Sequence, residues 1–261
     1  MVYQPKNINL IFTFLSGLVL LFILGPLIGM LLDTPATDIF DVGKESEVQN
    51  SIGLTLGASF LGTLFFSIAA IPFAYLLARK EFKLKRLISG IIDIPVVIPH
   101  SAAGIALLGF ISRDSYIGKA AEYLGFSLVG HPAGIAMAMA FVSLPYLINA
   151  ARNGFEAVPV RLEKAALNLG AGSFKMFFSI SLPLAWRSIL SGLIMMFARG
   201  MSEFGAVIII AYNPMTTPVM IFERFGSFGL KYAQPVALIF IAISLFVFIL
   251  LRWLSGKNSN A

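Results

Sequence analysis

Residues 154–187 read GFEAVPVRLEKAALNLGAGSFKMFFSISLPLAWR, a patterned stretch much longer than a turn, set between two apolar runs. Pro159 suits the first turn of a helix, 161–169 holds good helix formers, and Gly170 stands where a left-handed C-terminal cap is wanted. Ser173 is placed to cap a second short helix that runs until Pro183. The pattern therefore predicts two short helices with a sharp bend at Gly170. Ala165 and Ala166 leave the first of them nearly bare on one side, so another protein's surface could approach its backbone closely. The alternative on pattern alone is an interfacial hairpin lying on lipid headgroups.

Outward from this stretch the chain is oily in both directions. With 58% hydrophobic residues, 12% charged and a mean hydropathy of +0.88, its 261 residues cannot hide their apolar surface in one soluble core. The expected fold class is an all-α membrane protein, a single transmembrane domain over 1–261. A bilayer core about 30 Å thick takes roughly 20 helical residues to cross. Six segments approach that length, at about 10–32, 51–78, 91–111, 133–151, 188–212 and 235–254, with the patterned loop of 152–187 between the fourth and fifth. The first apolar run exceeds a secretory h-region and no A-x-A-like cleavage site follows, so it reads as a retained helix. The absence of cysteine removes disulfides, thiolate metal sites and thiol nucleophiles together.

Lys and Arg in the loops set the orientation. With the N-terminus inside, the inner side holds thirteen basic residues: Lys6, Arg79, Lys80, Lys83, Lys85, Arg86, Arg152, Arg161, Lys164, Lys175, Arg187, Arg252 and Lys257. The outer side holds five, Lys44, Arg113, Lys119, Arg224 and Lys231. The bias predicts a multi-pass protein of the cell membrane with both termini cytoplasmic. The net charge of +6 is then a topology signal; it does not mark a nucleic-acid partner, because the basic residues are split among short loops.

The run KAALNLG (164–170), nine residues, then ISLP (180–183) resembles the EAA loop of binding-protein-dependent ABC transporter permeases. Ala165, Ala166, Gly170, Ile180, Leu182 and Pro183 match that family's pattern, whereas Lys164 stands where the family usually has Glu, with Glu163 one residue earlier. The resemblance implies a coupling helix seated in a groove of a separate cytoplasmic ATPase. No G-x-x-x-x-G-K-[ST] occurs in the chain, which fits a permease that is not itself an enzyme and needs no cofactor of its own. DIPVVIPHSAAGIALL (93–108) and FARGMSEFGAVIIIAY (197–212) are similar to the third and fifth helices of molybdate/tungstate permeases of the archaeal kind, and the second element is shared more loosely with sulfate permeases. That likeness implies a homodimer, two ATPase subunits beneath it, and an extracytoplasmic binding protein that delivers a tetrahedral oxyanion.

Candidate pathway residues come from intramembrane polarity. Pro95, Pro99 and Gly104 mark the third helix as locally broken around Asp93, His100 and Ser101, a plausible wall of a watery cavity. Asp93 lies near the inner boundary, where capping or a loop cation would account for it. His100 lies deeper and can serve either a neighbouring helix or a substrate; it makes no metal site, because the only other histidine, His131, is in or near an outer loop. Arg199 and Glu203, with Ser202 between them, sit in the fifth helix, where each charge costs roughly 2.5–3.5 kcal/mol to insert and so needs a partner or a wet cavity. At i,i+4 they share one helix face and can pair. Either they form a clamp that never meets substrate, or Arg199 lines or gates the pathway while Glu203 holds it in place. The G-x-x-x-G at Gly53 and Gly57 permits close helix packing. The phenylalanines of the loop, Phe174, Phe177 and Phe178, read as lipid-facing or packing residues.

The rival classes are an intramembrane enzyme and a passive channel. No H-E-x-x-H, no paired intramembrane aspartates and no nucleophile with an obvious base is present, and a passive channel has no use for a structured coupling loop.

Overall fold

The structure is a computed structural model that describes residues 6–257, with side chains over 10–255; residues 1–5 and 258–261 of the expected 1–261 domain, and the side chains of Lys6 and Lys257, lie outside the described residues. Thirteen α-helices follow one another and no strand occurs among the described residues. Five helical stretches are long and apolar enough to cross a membrane: Leu10–Asp33, Ser46–Arg79, Pro132–Ala157, Ser173–Met201 and Leu230–Ser255.

The third expected crossing is different. It consists of α4 (Lys85–Val97) and α5 (His100–Ile111), whose axes differ by 110°. The cause is local: Pro99 cannot donate a backbone hydrogen bond and forces the residue before it into extended backbone, and Ile98 accordingly sits at φ −74°, ψ 151°. Pro99 then opens α5, its carbonyl accepting from the Ala103 amide at 3.0 Å. The break expected from the prolines is present, but it is a corner and not a kink in a straight span.

The centre of the molecule is α7 (Pro132–Ala157), packed between α3 (Ser46–Arg79) and α10 (Leu182–Met201). Small residues let these helices touch backbone to side chain, as membrane helices require when lipid offers no hydrophobic drive. A Cβ at Gly62 would stand 2.7 Å from the Ala136 carbonyl oxygen, and one at Gly154 2.5 Å from the Ser188 Cβ. Two buried hydroxyls here find backbone partners: Ser59 donates to the Phe197 carbonyl at 2.7 Å and Ser143 to that of Met139 at 2.6 Å. By contrast Gly53 and Gly57 face nothing within 4 Å, so the packing expected of that G-x-x-x-G is not made among the described residues. The first helix, α1 (Lys6–Asp33), stands apart from this core, its apolar window entirely unburied. Shorter helices α2 (Ala36–Lys44), α6 (Tyr116–Tyr123) and α12 (Thr217–Phe228) occupy the connections.

Two boundaries within the quoted stretch and the fifth crossing move. The second short helix does not stop at Pro183: α9 (Ser173–Met176) passes through a π turn, Phe177–Ser181, straight into α10. The wider turn lets the Leu182 amide reach the Phe177 carbonyl, and Pro183 falls in the first turn of α10, where a missing donor costs nothing. At the far end the expected 188–212 helix is interrupted. α10 ends at Met201 and α11 (Gly205–Ile210) restarts after Ser202–Phe204. Helix four runs on to Ala157 and α13 (Leu230–Lys257) begins before Pro235, so the non-helical part of the 152–187 loop shrinks to the joints on either side of α8 (Val160–Asn168).

Candidate functional site

The interruption at Ser202–Phe204 builds the first site. α11 lies against α5 so closely that a Cβ at Gly205 would meet the His100 Cβ at 2.8 Å, and one at Gly104 the Ala206 Cα at 2.9 Å. Only glycine at both places allows the two half-helices to touch. The contact carries His100, the first residue of α5, onto Glu203.

Glu203 is completely buried. Its Oε1 accepts from the Ala206 amide at 2.9 Å, which satisfies one open donor of the first turn of α11. Its Oε2 lies 3.0 Å from Arg199 Nη2 and 3.2 Å from His100 Nδ1. Both are ion-pair distances, yet neither approach has the direction of a good hydrogen bond, so Oε2 is held by charge more than by aimed protons. Arg199 Nη2 also stands 3.0 and 2.9 Å from the two ring nitrogens of His100. Arginine has no lone pair to offer, so the contact needs an unprotonated ring nitrogen.

The sequence places Arg199 and Glu203 on one helix face. The structure pairs them across a helix end instead, because α10 stops two residues after Arg199. Around them the site is open on one side: the Arg199 side chain is 21% exposed and that of His100 38%. Ser101 and Ser202 are exposed beside them, with Ser202 Oγ donating to the Arg199 carbonyl at 3.0 Å. A guanidinium edge, an imidazole and two exposed hydroxyls thus stand at the surface in front of a buried carboxylate. Such a surface can offer hydrogen-bond donors to an anion while the carboxylate keeps it from binding tightly. Asp93 lies within α4 and does not cap it; it accepts from Asn149 Nδ2 at 2.7 Å and ties α4 to α7.

The second site is the α8 corner. Gly170 has φ +87°, and the Gly170 amide reaches the Leu167 carbonyl while the Ala171 amide reaches that of Ala166, both at 3.0 Å. These two bonds are the paired pattern of a left-handed helix cap, as the sequence predicts at this glycine. Lys164, Ala165 and Leu169 face outward, whereas Glu163 points in and is 5% exposed. Arg79 Nε and Nη2 reach its carboxylate at 2.8 and 2.9 Å, and Ser181 Oγ donates to it at 2.6 Å. Ile180 and Leu182 are half-buried beside this knot and Pro183 is exposed. Sequence reasoning counted Arg79 as a topology charge and passed over Ser181; nothing in their local sequence marks them, since their meeting depends on α3 and the π turn converging.

Comparison with known proteins agrees with this architecture. Residues 70–259 match the family described as binding-protein-dependent transport system inner membrane component. The chain is 46% identical over 216 residues to the molybdate/tungstate transport system permease protein WtpB of Pyrococcus abyssi, covering 82% of this chain and 79% of that one. It is 39% identical over 249 residues to the protein of the same name in Methanocaldococcus jannaschii, covering 95% and 96%. Its fold superposes with a TM-score of 0.73, at 16% identity over 97% of this chain and 96% of the other, on a chain of a bacterial ABC transporter involved in the import of the acidic polysaccharide alginate. The long apolar helices and these relatives together define a multi-pass membrane protein of the permease class. More particularly, the chain belongs to the family of binding-protein-dependent transport system inner membrane components.

Proposed function

We propose that this chain is the permease subunit of an ABC importer that moves a tetrahedral oxyanion, molybdate or tungstate, into the cytoplasm. The observation that supports the substrate best is the extended likeness to molybdate/tungstate permeases. In this reading two copies form the pore, two cytoplasmic ATPase subunits sit beneath the α8 corners, an extracytoplasmic binding protein delivers the anion, and both termini are cytoplasmic. The α8 surface turned toward the ATPase carries Arg161 and Lys164 and no acid, because Glu163 is turned inward; the facing groove is therefore apolar with acidic groups at its rim. Arg199, His100, Ser101 and Ser202 line or gate the path, and Glu203 holds the arginine and tempers its charge.

The test is reconstitution in liposomes with the ATPase subunit, the binding protein, and molybdate, tungstate or sulfate as labelled anion. Uptake that requires ATP and prefers molybdate or tungstate over sulfate supports the reading. Uptake without ATP, or a preference for sulfate, overturns it.

A further inference from the structure

The Arg79–Glu163–Ser181 knot joins several elements at once. Glu163 belongs to α8. Arg79 is the last residue of α3, and its Nη2 also donates at 2.9 Å to the carbonyl of Val158, the C-cap residue just after α7. Ser181 lies in the π turn that leads into α10. A single carboxylate on α8 is thereby linked to the ends of all three core helices. The side chains of Arg79 and Glu163 are 12% and 6% exposed, and the Arg79 guanidinium lies over the ring of Tyr75, which is edge-on to Phe155 and Phe177 with ring centroids 5.2 and 5.0 Å away. With water excluded and both carboxylate oxygens engaged by a forked guanidinium, the arrangement is rigid in direction as well as attractive.

We infer that Arg79 and Ser181 are positioning residues that clamp α8 through Glu163, so that a displacement of α8 is passed to α3, α7 and α10 as one body. This rests on the reading of α8 as the element that meets the ATPase. The clamp faces away from the docking surface: Lys164, Ala165 and Leu169 are exposed on α8 while Glu163 is buried. The far end of α10 carries Arg199, so the clamp sits at one end of the helix that holds the pathway arginine at the other. A π turn at the entry gives α10 a local joint, and Ser181 bonds to the clamp from inside that joint.

The experiment uses the full complex in liposomes, with labelled molybdate uptake and ATP hydrolysis measured on the same sample. Arg79→Met together with Glu163→Leu replaces the buried pair by apolar groups of similar volume, which folded proteins tolerate. The paired variant is expected to assemble and to hydrolyse ATP within about twofold of the parent, while molybdate moved per ATP falls about tenfold or more. Ser181→Ala, which leaves the ion pair in place, is expected to lower that ratio about threefold. An unchanged ratio in the paired variant overturns the clamp; if that variant does not assemble, an unchanged ratio in Ser181→Ala does so. Lys164→Glu separates the two readings. If it leaves ATPase docking intact, the docking role of α8 fails; if it weakens docking while the paired variant stays coupled, only the clamp fails.

Discussion

The carboxylate of Glu203 lies 3.0 Å from Arg199 Nη2 although the helix that carries Arg199 ends between them. An ion pair within one continuous helix needs no tertiary support. This one does, because Glu203 keeps its position only while α11 stays docked on α5 through Gly205 and His100.

Gly205→Val should therefore act on the pair without touching either charge. A Cβ there would stand 2.8 Å from the His100 Cβ, and overpacking of this kind costs about 1–3 kcal/mol. The expected outcome is a lower unfolding temperature in detergent and a loss of uptake with the ATPase still bound. Normal uptake would show that the α5–α11 contact does not shape the site.

Glu203→Gln keeps the shape of the side chain and its bond from the Ala206 amide but removes the charge opposite Arg199. Leaving one member of a buried pair uncompensated costs about 3–5 kcal/mol where no water can reach it. The exposed side of Arg199 reduces that cost, so the variant should assemble at reduced yield and retain a fraction of uptake. Uptake and yield measured together check it: full uptake at full yield contradicts a holding role for Glu203.

Gly170→Val places a β-branched residue at φ +87°, a strain of about 1–3 kcal/mol. Membrane insertion should survive, while co-purification with the ATPase weakens or hydrolysis loses its link to uptake. Normal coupling would show that the bend at Gly170 has no part in docking.

Because the chain contains no cysteine, single cysteines report topology directly. A cysteine at 44 should react from outside intact cells, and cysteines at 83 and 257 only after permeabilisation. Reaction at 257 from outside would invert the proposed orientation.

Much of this was legible in the sequence for a simple reason. Apolar length and composition set the long helices, and a glycine after a run of helix formers sets the Gly170 cap, each within a few residues of chain. The corner at Ile98–Pro99 was legible as a break but not as a 110° turn, since its angle depends on how α5 packs on α11. The gap at Ser202–Phe204 was missed because its residues sit inside an apolar run, with only flanking Gly200 and Gly205 as a signal. Arg199 and Glu203 were marked by the cost of charge in lipid, whereas Arg79 and Ser181 lie at helix ends where a charge or hydroxyl is ordinary.

The most direct test is uptake by Arg199→Ala in liposomes with ATPase and binding protein present. Arg199 is the partly exposed cation of the site, its side chain 21% exposed and set between Glu203 and His100. If it lines the path, molybdate uptake should fall by about a hundredfold, the scale of one lost buried charge contact, while permease–ATPase assembly and binding-protein docking remain measurable. Uptake at the parent rate would contradict a pathway role, and loss of assembly with no transport-competent complex would show that Arg199 is a structural clamp.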